Sequence, residues 1–412
     1  MEDTQPPPPP ADEMASPAEV AGAGPAPQPA AGGPRLWIER IQLTSYRNYA
    51  SARLDVGPQP VVLCGPNGSG KTNLLEAISL LTSGQGLRRA PYAELALMGA
   101  QGWSVAARLN TPLGARDVGT GLVPGQDGGR AGRTVRIDGE TQPATALGEV
   151  AEIMWVTPAM DGLFTGAASE RRRFLDRLIA CFEPGYGRLL NQYERAMQQR
   201  NRLLSDNVTE AQRFEGFERV MSETGVAIAA ARAAAVAELA QAIRARRDTG
   251  HGTAFPWAEL ATEGSLEQAL ATEAAVDVED QFCASLARWR ERDRAVGRAL
   301  DGPHRSDLIV GHGPKEMPAK VCSTGEQKAL LIGLVLAHAD LVSRRNGGTA
   351  PILLLDEVTA HLDPARRGAL FAEILALGTQ AWMSGTDLEA FSGLGETAQK
   401  WVVEDGRLER PS

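Results

Sequence analysis

Three short segments hold residue types whose spacing could do chemistry. In "VVLCGPNGSGKT", Gly65, Gly70, Lys71 and Thr72 fill the template G-x-x-x-x-G-K-[ST]. With Pro66, Asn67, Gly68 and Ser69 between them, the glycines let backbone N–H groups converge on an anion, at a helix start whose dipole adds partial positive charge. Lys71 would reach the β- and γ-phosphates of a nucleotide, and the Thr72 hydroxyl would ligate Mg²⁺. The second segment, "PILLLDE", closes an apolar strand with Asp356 and Glu357. Alone, two acids there are as readily a solvated strand end. Paired with a phosphate loop, Asp356 would hold the Mg²⁺ and Glu357 would orient or deprotonate the attacking water. The third, "STGEQK" (Ser323 to Lys328), precedes a strongly apolar helix. Ser323 and Glu326 read as a capping box; the same helix start, with Ser, Thr and Gly donors that include Gly325, also reads as an anion site.

These segments need elements to position them. Val61, Val62, Leu63 and Cys64 suit a buried parallel strand. Leu74, Leu75, Ala77, Ile78 and Leu81 recur at helical spacing, so a helix starts at about Lys71. "RLWIERIQL", "SARLDV", the alternation Trp103, Val105, Ala107, Leu109 and "RTVRIDG" predict antiparallel β structure, with a glycine-rich loop "VPGQDGGRAGR" inside it. From about Ala168 to Leu300 the pattern turns helical: "SERRRFLDRLIACF", "GYGRLLNQYERAMQQRNRLL", the alanine-rich "FERVMSETGVAIAAARAAAVAELAQAIRARR", and a further long helix over "FCASLARWRERDRAVGRAL". No sustained heptad runs through them, which favours a short helical arm over an extended coiled coil. "PARRGALFAEILAL" and a last strand, "TQAWMSGTD", close the chain's α/β part. The expectation is an α/β fold: 1–34 a Pro/Ala-rich tail, 35–167 and 302–412 the two parts of an ATPase head, and 168–301 a helical arm.

The net charge of −9 is a poor match to a nucleic-acid-binding protein until its distribution is read. Residues 1–34 hold five acids, ten prolines and no Lys or Arg, a composition that cannot bury enough apolar surface to order itself. Between Glu170 and Leu204, eight arginines (Arg171, Arg172, Arg173, Arg177, Arg188, Arg195, Arg200 and Arg202) face four acids, and five more stand between Arg288 and Arg298. An arginine excess on helices beside a nucleotide site would neutralise DNA phosphates; the alternative is i,i+4 pairing on solvated faces. Few aromatics stand among them, which argues against a base-stacking platform. Four scattered cysteines, Cys64, Cys181, Cys283 and Cys322, fit a reducing cytosol. No apolar run approaches a membrane span, and no secretory leader is evident at the N-terminus.

Lys71 and Asp356 lie 285 residues apart, with the helical segment between and "STGEQK" just before the second acid pair. This order resembles the ABC ATPase head, with "STGEQK" in the place of the signature motif and "AHLD" (Ala360 to Asp363) in that of the D-loop. In that group the signature contacts nucleotide on a second subunit. The resemblance therefore places Ser323, Gly325, Glu326 and Asp363 among the nucleotide-contacting residues and implies an ATP-dependent homodimer. Transporter subunits have a shorter insert, a Gln that "WVTPAMDGLF" lacks and a His where Thr386 stands; SMC proteins have far longer arms than the roughly 130 residues here. "LTSYRNY", "ERRRFLD", "GPHRSDL", "STGEQKALLI" and "LLLDEVTAHLD", in that order from Leu36 onward, resemble the RecF family. That resemblance implies ATP and Mg²⁺, a weak DNA-dependent ATPase, and binding at gapped or damaged DNA, with Arg171, Arg172, Arg173 and Arg177 as candidate contacts. It further implies RecR and RecO as partners, recombinase loading, SOS induction and a cytoplasmic location with no membrane. A transporter ATPase subunit or a short-armed SMC-like structural protein are the alternatives.

Overall fold

The computed structural model describes residues 36–122, 132–183, 185–248, 250 and 254–411. The tail expected over 1–34 and most of the glycine-rich loop lie outside the described residues. The N-terminal half runs β1 (Trp37–Tyr46), β2 (Tyr49–Asp55), β3 (Val61–Cys64), α1 (Lys71–Ser79), β4 (Trp103–Thr111), β5 (Gly114–Leu122), β6 (Arg133–Ile137), β7 (Glu140–Gln142) and β8 (Ile153–Val156). The helical segment follows with α2 (Ala168–Ala180), α3 (Tyr186–Ser205), α4 (Gln212–Asp248), β9 (Ala258–Glu263), α5 (Ser265–Leu270), α6 (Ala275–Arg288) and α7 (Arg290–Val296). The chain ends with β10 (Asp307–His312), β11 (Met317–Pro318), α8 (Thr324–Arg345), β12 (Ile352–Leu355), α9 (Pro364–Leu377), β13 (Ala381–Gly385), β14 (Gln399–Glu404) and β15 (Arg407–Glu409).

Two six-stranded sheets carry the head. One, in the order β2-β1-β4-β5-β6-β7, is antiparallel. Along β4 every second residue from Trp103 is buried, so one face packs on the core and the other meets water. The second sheet, β15-β14-β3-β13-β12-β8, is parallel except for the β14–β15 hairpin. Its central strands, VVLC, AWMSG and ILLL, and the edge strand IMWV are buried at every position, as expected of strands covered on both faces. Because β3, β12 and β13 run the same way, the loop 65–70, Asp356 and Ser384–Gly385 emerge together at one sheet edge, where α/β proteins bind ligands.

The helical segment differs from the expected arm in three respects. The long helix expected over 282–300 is two helices, α6 and α7, broken at Trp289, where φ −97° and ψ 15° leave the helical region. A strand missed in the sequence, β9, pairs antiparallel with β10 across the expected boundary at 301. One hydrophobic core also joins Phe174, Leu178, Tyr193 and Ile228 of the insert to Leu331, Val335, Leu353 and Leu355 of the head, so 168–301 has no core of its own. The 37-residue α4, about 55 Å long at 1.5 Å per residue, contains an 18-residue window of mean hydropathy 1.5, long and apolar enough to cross a membrane. Half of that window is buried inside the protein, and α4 also buries Glu218 and Arg232 in ion pairs. The strands β14 and β15 extend the chain's α/β part beyond the expected last strand.

Candidate functional site

The phosphate loop is shaped by its neighbours. A Cβ at Gly65 would stand 2.2 Å from the Val403 carbonyl oxygen, and Gly70, at φ +118°, would carry one 2.6 Å from Asn48 Nδ2. The turn between β1 and β2 supplies that support: Asn48 Nδ2 donates to the Ser69 carbonyl (3.0 Å), the Tyr49 hydroxyl to the Gly70 carbonyl (3.0 Å), and Asn73 Nδ2 to Asn48 Oδ1 (2.7 Å). Arg47 grips the buried Glu76 of α1 at two points, 2.8 and 2.9 Å, and Arg88 reaches Asn73 Oδ1 (2.6 Å) and Glu76 (3.3 Å). Residues 47–49 thus form the wall against which the loop is held. Their sequence offers no chemical signal beyond Arg, Asn and Tyr in a turn.

Within the loop, Lys71 Nζ is buried and donates to the Gly65 (2.7 Å) and Pro66 (2.8 Å) carbonyls. An ammonium has three donors, so one remains for a phosphate oxygen. Burial pushes its pKa below the ordinary lysine value, against the pull of Glu357 and Asp356. Ser69 Oγ is buried with no hydrogen-bond partner among the described residues, an orphan polar atom where an anion would be received. Thr72 Oγ1 lies 2.9 and 3.0 Å from the two Asp356 oxygens, joining segments 284 residues apart. The Ser384 hydroxyl donates to Asp356 Oδ1 (2.6 Å) and accepts from the Glu357 N–H (2.8 Å). This all-oxygen set of one carboxylate and one hydroxyl fits Mg²⁺, which completes its shell with phosphate and water oxygens.

Glu357 lines the same cleft, about 120 Å³ in volume, with Asn67, Gly68, Lys71, Thr72 and Arg88. Its backbone is left-handed at φ +48°, a conformation that costs energy for a non-glycine residue and gathers at functional sites. Lys328, from the "STGEQK" segment, is buried and donates to the Glu357 carbonyl (3.1 Å), with Asp161 Oδ2 4.0 Å away. Burial pushes the Lys328 pKa down. Arg88, Lys328 and Ser384 were not legible as site residues; a lysine five positions into an apolar helix is a weak signal, and a serine inside a buried strand is weaker.

The remaining candidates fall on two helix starts. Ser323 caps α8: its backbone N–H (3.0 Å) and hydroxyl (2.9 Å) donate to Glu326 Oε2, and its side-chain oxygen accepts from the Glu326 backbone N–H, which completes the capping box. The Lys315 ammonium on Glu326, with the Ser323 N–H, holds that carboxyl down at about 2. Ser323 and Thr324 are exposed. Asp363 caps α9 by accepting from the Arg366 N–H (2.8 Å), and a Cβ at Gly325 would lie 3.9 Å from the His361 carbonyl oxygen. The signature-like and D-loop-like segments are therefore neighbours.

Not every arginine expected at DNA is free to reach it. Arg171 pairs at two points with Asp307 (2.7 and 2.8 Å) and donates to the Gly166 carbonyl. Arg172 donates to the Ser306 carbonyl (2.6 Å). Arg177 lies over the Trp155 ring, 4.4 Å from its centroid. Arg200 is fully buried between Glu218 (3.0 Å) and Asp293 (2.8 Å). Reading Arg171, Arg172 and Arg177 as free surface cations is thus corrected: the fold uses the charge of Arg171 and Arg172 internally, because insert and head must be tied across a shared core, and Arg177 packs on Trp155 with no carboxylate paired to it among the described residues. Arg173, Arg188, Arg195 and Arg202 remain exposed.

Residues 37–383 match the family described as the RecF/RecN/SMC N terminal domain. The DNA replication and repair protein RecF of Mesorhizobium japonicum is 53% identical over 373 residues, which cover 90% of this chain and 97% of that protein. The chain belongs to the RecF family. RecF of Brucella suis is 50% identical over 376 residues, covering 91% and 96%. Among solved structures, the recombination mediator protein RecF-ATPrS of the RecFOR pathway superposes with a TM-score of 0.77 at 20% identity, over 92% of this chain and 99% of that one. At that identity the likeness is one of fold. The RecF assignment expected from five separated motifs holds, and the transporter subunit and the SMC-like protein fall away as alternatives.

Proposed function

We propose that the chain is an ATP-dependent DNA-binding protein of recombinational repair and replication. In this reading it binds ATP on the loop 65–72, closes with a second copy over the nucleotide, and holds DNA at gaps or damage in the cytoplasm. The observation that carries the reading is the contact of Thr72 Oγ1 with both Asp356 oxygens. It brings two distant segments together beside the buried Lys71, as a metal-and-phosphate site would require. RecF relatives named for DNA replication and repair, and a solved structure titled RecF-ATP, support it further.

Thr72 and Asp356 would hold Mg²⁺, which when bound neutralises charge on the β- and γ-phosphates. Lys71 binds the phosphates through its remaining donor, and Ser69 offers its unpaired hydroxyl. Ser384 fixes the Asp356 carboxylate, and Glu357 orients the attacking water and accepts its proton. Ser323 and Gly325 of one copy face the nucleotide of the other, with Glu326 holding the helix start and Asp363 beside it. Hydrolysis is weak and acts as a switch that opens the pair. RecR and RecO are the partners we assign through the family, with recombinase loading and SOS induction as the outcome. The test is retention of gapped duplex DNA by the full chain with Mg-ATP and without nucleotide. Retention that requires Mg-ATP supports the reading; equal retention without nucleotide overturns it.

A further inference from the structure

A cleft of about 440 Å³ opens between the loop after α1, β8, α2 and α3. It is separate from the phosphate loop, and three arginines, Arg89, Arg173 and Arg177, line it. Arg177 is the unusual member. Its Nε is buried with no hydrogen-bond partner, its NH2 makes only long contacts, 3.4 Å to the Trp155 carbonyl and 3.6 Å to Met160 Sδ, and its other neighbours are the faces of Trp155 and Phe174, 4.4 and 5.5 Å from the ring centroids. No carboxylate pairs with it among the described residues, and burial pushes its pKa down to about 10. Arg89, at φ +58°, and the exposed Arg173 have no ion pair there either. The two are close enough that Arg173, after burial, lowers the Arg89 pKa.

The acids nearby do not compensate. Asp176 is engaged at two points by Arg232 (2.8 and 2.9 Å) and by the Tyr186 hydroxyl (2.6 Å). Glu152 accepts from Asn346 (3.0 Å), and burial pushes its pKa up. Only the exposed Glu194 is left against three guanidinium groups. A buried, unpaired cation is expensive to maintain; Arg177 carries one, and with the exposed Arg89 and Arg173 lining the same recess it forms an anion receptor, since guanidinium groups bind phosphate through paired donors. The recess is several times larger than a phosphate ion, and Ile153, Trp155 and Leu190 give it an apolar floor.

We propose that this cleft is a second phosphate-binding site, which takes a nucleotide-sized ligand with its phosphate on Arg89, Arg173 and Arg177 and its body on the apolar floor. The nucleotide is either free or part of a DNA strand; the second source rests on the DNA-binding reading above. The full chain, saturated with Mg-ATP to fill the phosphate loop, is titrated by calorimetry with dAMP, with inorganic phosphate and with a short oligonucleotide. We expect binding of dAMP or of the oligonucleotide, weakened at least tenfold in Arg89→Gln/Arg173→Gln, whose positions are exposed so that the fold is kept. Inorganic phosphate should bind more weakly than the nucleotide. Arg177→Met should lose the same binding while unfolding at a higher temperature than wild type, because an apolar side chain replaces an uncompensated charge. If neither nucleotide ligand binds, if Arg89→Gln/Arg173→Gln binds them as wild type does, or if Arg177→Met is destabilised with binding intact, the proposal is overturned and Arg177 is a packing residue. Phosphate binding as tight as dAMP overturns the nucleotide-sized body. Loss of this site with gapped-DNA retention unchanged would leave the DNA-binding reading standing and assign the site to free nucleotide.

Discussion

Replacing Lys328 by Met should separate ATP binding from ATP hydrolysis. The ammonium is buried, 3.1 Å from the Glu357 carbonyl oxygen and 4.0 Å from Asp161. Glu357 is held at φ +48°, a left-handed conformation that costs a non-glycine residue about 1–2 kcal/mol. A hydrogen bond from a charged donor contributes about 1.5–3 kcal/mol, enough to offset that strain. Without it the turn relaxes toward the right-handed region and the carboxylate swings off its aim. A displacement of about 1 Å at a reacting group can cost about a hundredfold in rate. Met fills nearly the same volume and removes a desolvated charge, while Asp161, 29% exposed, loses its nearest cation, so the variant should stay folded with a modest loss of stability. Steady-state turnover should therefore fall about 10- to 100-fold, while the Mg-ATP dissociation constant from calorimetry stays within about twofold. Wild-type turnover would refute the positioning argument. Weakened ATP binding with unchanged turnover would move Lys328 into the nucleotide cradle instead.

Glu357→Gln should keep Mg-ATP binding but stall hydrolysis, since an amide cannot accept the water's proton; the closed pair should accumulate on ATP in sedimentation, and wild-type turnover would place the base elsewhere. Ser323→Arg should leave ATP affinity of the single chain unchanged while preventing ATP-driven dimerisation and DNA retention. If Ser323 only caps α8, the same change costs about 1 kcal/mol of stability and dimerisation survives. Arg200→Ala should destabilise the fold, at the low end of about 3–5 kcal/mol in denaturant titration, because it removes the fully buried cation between Glu218 and Asp293 and leaves them only the outer partners Arg290 and Arg292; a loss under about 1 kcal/mol would show that those outer pairs suffice.

The parts of the site carried by local pattern were legible in the sequence. The strand–glycine–helix grammar around Gly65 to Thr72 and the acid pair after ILLL depend on neighbours in the chain, and both lie where the pattern put them. What was not legible depends on distant residues. Asn48 and Tyr49 matter because a turn 21 residues upstream packs under the loop, Lys328 because α8 crosses behind Glu357, and Ser384 because β13 lies beside β12. The arginines misled for the same reason. Composition counts Arg171 and Arg200 as positive charge on a helix, whereas their ion-pair partners, Asp307 and Asp293, stand 136 and 93 residues further along the chain. Insert and arm were confused because helical periodicity shows that a face is buried without showing against what. The strand β9 was missed because its alternation, AELATE, is short and two-thirds alanine and glutamate.

The central claim is that the loop 65–72 binds a nucleotide's phosphates through Lys71. Calorimetry of Mg-ATP binding to the full chain and to Lys71→Met tests it most directly. Lys71 Nζ is the cation buried in that loop, and losing a charge-assisted contact to phosphate in a desolvated cleft should weaken binding by about 3 kcal/mol, on the order of a hundredfold. Affinity within about twofold of wild type, with the variant folded, would contradict the account.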